Sequence, residues 1–436
     1  MKKLHARALV PGAALVIALT GVSSGAIAAP QPDADLSQAG PSAHTGKLAD
    51  QQAKKDRANQ KRYDRIVAKL PADWEQRRDA LRERFGIEDS PARTVLESKL
   101  AYAQDKADRG VAPAAIDPTD YECGPTALDG YIDSILAEAD TFNLLLLQLM
   151  GALDVPAYDA ILSGSPKDDA YDLLPAYEQK LTATMGHTQR FWDVRLNDVQ
   201  LVAMHGEMLT DVNRVASTIE YMYDVGPADA VAIAEDMIAM IKSDPALKKG
   251  KNPIFSLNAF AFTGDGDPDP VIRRLKDKVI FGDGILRALK AIGLNNVGGQ
   301  SVLAHEMAHH VQFEDDLFDS DLEGPEATRR TELMADGFGT YFLTHKKGEG
   351  FAPAKVLKVG KSFYAVGDCS FDSPGHHGTP NQRLAASSWG AAEVAYSENP
   401  NKVLPSLRLA TKFEKILPQL LAPDAPVGLT AYKNAV

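Results

Sequence analysis

Two imidazoles stand four residues apart in Leu303-Ala-His-Glu-Met-Ala-His-His-Val311, at His305 and His309. Four residues turn a helix by about 400°, so both rings fall on one face, one turn apart. Two ligands to a single metal ion require that placement. Glu306 is rotated by about 100° from His305 and lies at the edge of the face, where it can reach a metal-bound water without taking a coordination place. The order His-Glu-x-x-His therefore suits a metal-activated water with a carboxylate as general base. Val302, Leu303, Ala304, Met307, Ala308 and Val311 make the helix apolar, which disfavours the plainer reading of two solvated histidines. His310 points about 100° away from His309 and is read as a packing residue.

A catalytic zinc takes three protein ligands and leaves a fourth position open. The extension H-E-x-x-H-x-x-G-x-x-H is not met, because Gln312 stands at its glycine and Asp315 at its third histidine. Arg330-Thr-Glu-Leu-Met-Ala-Asp336 reads instead as the first turns of a second helix, with Glu332 and Asp336 on one face. Glu332 can be the third ligand. Asp336 can accept a hydrogen bond from the outer nitrogen of a ligand histidine, His305 being the candidate. The competing reading is an ordinary acidic helix start near the positive end of the macrodipole.

The pair H-E-x-x-H and E-x-x-x-D resembles the gluzincin metallopeptidases. Ala304-His-Glu-Met-Ala-His-His-Val-Gln312 with Glu332-Leu-Met-Ala-Asp336 is similar to the bacterial predicted neutral zinc metallopeptidases, and also to the CAAX-endopeptidase-like group. His377-Gly-Thr-Pro-Asn-Gln-Arg383 resembles the His-plus-Arg segment that follows the zinc helices there. The resemblance spans roughly residues 250–390. It implies one Zn2+ per chain and an exported zinc metalloendopeptidase acting on peptide or protein substrates. Glu306 would be the base, and His377 or Arg383 the donor to the oxyanion. It also implies a zincin-like core within a mostly helical α+β fold. Asn258, Ala259 and Phe260 resemble the edge strand on which such enzymes lay an extended substrate; a plain core strand is the other reading.

Elements that would position these groups follow from patterning. Pro253–Phe262 is β-like, Lys278–Phe281 a second short strand and Gly284–Ile292 a short helix, with the metal helix after Gly298-Gly299. Residues 1–28 read as an export signal: Lys2, Lys3 and Arg7, an apolar run, then Ala26-Ile-Ala28. Its removal takes the formal charge from −12 to about −15. Such a chain is expected not to bind nucleic acid and to keep no stable membrane anchor, working in the periplasm or secreted. Residues 29–58 read as a disordered linker and 59–245 as a helical region of unassigned role. Residues 246–425 read as the metallopeptidase domain and 426–436 as a loose tail. Cys123 and Cys369, the only cysteines, could form one disulfide. Six acids between Glu314 and Glu323 read as a solvated loop, and Tyr341 as core. A different class of function also fits: a catalytically silent cell-envelope binding protein stapled by zinc. Glu306 argues against it, since a structural site needs no base.

Overall fold

The structure is a computed structural model and describes residues 43–85, 87, 121, 124–168, 170–367 and 376–436. Its fourteen described α-helices are α1 (Ala43–Val67), α2 (Trp74–Phe85), α3 (Ala127–Leu136), α4 (Thr141–Leu149), α5 (Val155–Leu162), α6 (Pro175–Phe191), α7 (Val212–Tyr223), α8 (Pro227–Ser243), α9 (Asp283–Ala291), α10 (Gly298–Glu314), α11 (Pro325–Thr344), α12 (Pro353–Val366), α13 (Pro380–Ala395) and α14 (Ser406–Leu420). One three-stranded sheet lies among them, so the fold is α+β and mostly helical.

The sheet runs in the order β1 (Gln200–Met204), β3 (Lys278–Gly282), β2 (Ala259–Phe262). β1 is parallel to β3, with Val202 opposite Ile280; β2 is antiparallel to it, with Phe260 opposite Ile280. Every residue of β3 is buried, as a central strand of branched and aromatic residues should be. β2 is an edge, with Phe260 and Phe262 turned inward and Ala259 and Ala261 half-buried. Lys278 ties the sheet to α5: its buried Nζ donates to the carbonyls of Ala160 (3.1 Å), Ile161 and Gly164 (3.0 Å), around the C-terminal end of α5.

Around the sheet, α10 packs against α6, α11 and α12, and α11 packs against α13. Glycines set these spacings. A Cβ at Gly339 of α11 would stand 3.1 Å from the backbone of Ala304 and His305 in α10. A Cβ at Gly390 of α13 would stand 2.1 Å from the carbonyl oxygen of Gly337. Trp389, fully buried, lies against Gly337. The three helices thus approach closely enough for short side chains to meet between them.

Several expectations need correction. Residues 43–58 are helical within α1 rather than disordered; their Ala, Lys, Gln and Arg content favours a helix without apolar periodicity. The region 59–245 includes β1, which pairs with β3, and the described residues from 52 to 436 pack as one compact unit, without a break near residue 245. Pro253–Ser256 is a 3₁₀ turn, leaving only Ala259–Phe262 as strand, with Asn258 just before it. The tail is not loose: Leu429–Tyr432 is a 3₁₀ turn, and Tyr432 is fully buried with its hydroxyl donating to the Pro426 carbonyl (2.6 Å). The export signal, residues 29–42, Cys123 and Cys369 lie outside the described residues. Among the described residues no helix is long and apolar enough to cross a membrane.

Gly390→Ala should lower stability by about 1–3 kcal/mol, since the added methyl meets backbone rather than a flexible side chain. Urea unfolding of the two proteins measures this, and an unchanged midpoint would show that α11 and α13 part without strain.

Candidate metal centre

His305, His309 and Glu332 converge, their ligand atoms all within 4.8 Å of one another. His305 Nε2 and His309 Nε2 are 3.1 Å apart. Glu332 places Oε2 3.2 Å from the former and Oε1 3.1 Å from the latter. α10 supplies both histidines and is buried along residues 298–312, which keeps the pair out of bulk water. α11 begins at Pro325, so Glu332 lies about two turns inside the helix and not at its start. The macrodipole therefore does not account for the carboxylate.

The outer nitrogens of both rings are engaged. His305 Nδ1 lies 2.9 Å from Asp336 Oδ1, and His309 Nδ1 lies 2.7 Å from Gln312 Oε1. Asp336, fully buried, also accepts two hydrogen bonds of 2.7 Å from the Arg383 guanidinium. Arg383 is set in the first turn of α13, whose start is fixed by a capping box of Thr379 and Gln382. Its Nη2 lies 3.5 Å from Glu332 Oε2. Arg383, expected with His377 as one of two candidate oxyanion donors, gives both of the 2.7 Å bonds to Asp336 and also lines the cleft. His377 stands on the cleft wall, close enough for its charge to act on Glu332.

The donor set fits a zinc ion. Bonds of about 2.0–2.1 Å in a tetrahedron put neighbouring ligands about 3.3 Å apart, close to the three separations here. The chemistry agrees: two imidazole nitrogens and a carboxylate pointing at one another repel unless a cation or proton sits among them. Burial would lower the His305 imidazole, but the Glu332 carboxylate and the bond to Asp336 outweigh it and push it up to about 10. Burial likewise raises Glu332, yet the charges of His309, His377 and His305 hold it well below the usual carboxylate range. Glu306 is buried and its carboxyl is raised, first by loss of water, with His305 and His309 pulling the other way.

The site opens on a cavity of about 440 Å³. Asn258, Ala259, Phe260 and Ala261 form one wall, so the edge strand and the metal helix share the cleft. Phe363 of α12 lies 5.7 Å from the His305 ring and Phe318 lies 6.2 Å from the His309 ring, the latter stacked on Phe313 at 4.9 Å. Glu83 of α2 also lines the cavity. Gln312, Phe318, Phe363 and Glu83 were not singled out as site residues by sequence. Only Gln312 carried a signal, three residues after His309 on the same face.

Residues read as bystanders remain so. His310 is buried, and its Nε2 donates to the Lys278 carbonyl (3.0 Å); burial pushes the ring down to about 4, so it is neutral. Tyr341 is buried and its hydroxyl accepts from the Leu404 N–H at 2.9 Å.

No protein family matches the chain, and neither does any curated protein or solved structure.

Protonated His305 is held above its unfolded value near 6.5. It stabilises the metal-free fold fully below about pH 6.5, and that contribution is lost as pH rises through about 10. After chelator treatment, the thermal midpoint of the wild type should fall more steeply between pH 7 and 10 than that of His305→Gln. Equal slopes would show that His305 is not the proton holder.

Proposed function

We propose that the protein is an exported zinc-dependent endopeptidase. The observation that carries this reading is the convergence of His305, His309 and Glu332 in a cleft that also holds the buried Glu306 carboxylate and one edge of the sheet. His305, His309 and Glu332 would hold the ion. Zinc, when bound, supplies a Lewis acid that acidifies water and polarises a carbonyl. Glu306 takes the proton of the attacking water at its carboxylate and returns it to the leaving amine. Burial suits that cycle, because a carboxylate raised above its ordinary value binds a proton more readily. Asn258 and the β2 backbone orient an extended peptide by main-chain hydrogen bonds, and the half-buried Ala259 and Ala261 leave room for it. His377, on the cleft wall, is the candidate donor to the carbonyl oxygen.

Glu306→Gln keeps the size of the side chain and none of the three ligands changes. Zinc content should match wild type, while cleavage of casein or a labelled peptide should fall by about 10²–10⁴-fold. Equal cleavage by both proteins would remove Glu306 from the chemistry. Zinc in both with cleavage by neither would assign the site to a structural staple in a binding protein. Zinc in neither would end the metal reading.

A further inference from the structure

We propose that Gln312 is a relay that decides which nitrogen of His309 carries the proton, and that it takes its own orientation from the backbone of α11 beside Glu332. This rests on the metal-centre reading above and concerns how the second ligand is prepared.

A primary amide has one end that accepts and one that donates. The Thr331 carbonyl can only accept, and Gln312 Nε2 stands 2.8 Å from it. That end must be the NH2 group. The other end, Oε1, then faces His309 Nδ1 at 2.7 Å and can only accept, so Nδ1 must carry the hydrogen. In the neutral ring Nε2 is left with its lone pair, aimed at the gap shared with His305 Nε2 and Glu332 Oε1, each 3.1 Å away. Gln312 is fully buried, so water does not replace it in either bond.

The two ligand rings are therefore supported differently. His305 leans on a carboxylate, Asp336, itself held by Arg383. His309 leans on a neutral amide, which fixes the tautomer without adding a negative charge next to Glu332. The same amide spans the two ligand helices: it starts on α10, three residues after His309, and ends on the residue just before Glu332. One side chain thus sets the tautomer of the second ligand and the level of the third.

The test uses the full chain with two substitutions. Gln312→Met keeps the length and offers neither end of the amide. Gln312→Glu, ionised, accepts from His309 but cannot donate to Thr331. Nitrogen-15 spectra of histidine-labelled, metal-free protein, followed upward in pH until the His309 signals show a neutral ring, read the tautomer directly. Competition against a chromophoric chelator reads zinc affinity, and circular dichroism reads the fold. Wild type and Gln312→Glu should show His309 protonated on Nδ1, and Gln312→Met a mixture or the other tautomer. Zinc should bind about 10–100-fold more weakly to Gln312→Met, with a smaller loss for Gln312→Glu. Wild-type His309 protonated on Nε2 overturns the relay, even if Gln312→Met does not fold. So does a Gln312→Met protein with the wild-type tautomer and zinc affinity within twofold. A tautomer that follows Gln312 in a protein that binds no zinc keeps the relay and overturns the metal-centre reading instead.

Discussion

A carboxylate with no exposure to water stands behind the site, on the outer nitrogen of His305. Asp336 has no exposed surface, and an ionised group so placed costs several kcal/mol unless its charge is met at close range. Two hydrogen bonds from Arg383 and the contact with His305 Nδ1 meet it. Those partners lie on α13 and α10, and Asp336 lies on α11. Satisfying one charge therefore fixes three helices relative to one another. The glycine contacts between α10 and α11, and between α11 and α13, let the backbones come close enough for this. Glu332 follows from the same constraint, one turn before Asp336 on the same helix face. Once Asp336 reaches His305 Nδ1, Glu332 is carried to Nε2 of that ring and to its neighbour His309.

That geometry explains which parts of the site could be read from sequence. Pairs spaced by four on one helix are local facts, so the faces of His305 and His309, and of Glu332 and Asp336, were legible. The pairing of Asp336 with His305 was also a sound expectation. Arg383 shows where such reading ends. Its nearness to the site was expected, but its paired bonds to Asp336 were not: a contact between separate helices depends on crossing angles that spacing does not encode. Gln312 entered as a mismatch to the glycine of a longer pattern and as the end of the segment that carries the resemblance, though its offset of three from His309 also placed it on the right face. Phe318 and Phe363 left no mark, since an aromatic residue in a cleft and one in a core look alike in one dimension.

Several elements of the fold depart from sequence patterning for a related reason. Gln200-Leu-Val-Ala-Met204 is short, lacks clean alternation and is surrounded by helices; it becomes a strand because β3 offers it hydrogen bonds from some 80 residues away along the chain. Residues 43–58 showed no apolar stripe, and their helix instead reflects side chains with high helical propensity. The C-terminal residues gave no periodicity, yet Tyr432 buries its ring and satisfies its hydroxyl locally. Each case is a short or polar segment whose structure is decided by what packs beside it.

The same long-range contacts bear on how the front of the chain relates to the site. β1 forms one side of the pairing of β3, and Lys278 at the start of β3 satisfies carbonyls at the end of α5. Phe85 of α2 lies 6.0 Å from Phe262 of the edge strand, and Arg84 beside it is paired with Asp267 in the turn that joins β2 to β3. Glu83 then reaches the cleft itself. A front half that served only as a removable cover would leave β3 intact when taken away. Here its removal would strip β3 of one partner strand, and leave a buried lysine without its acceptors. The packing instead makes residues before 245 part of what holds β2 in place, and β2 is one wall of the cleft that holds His305, His309 and Glu332.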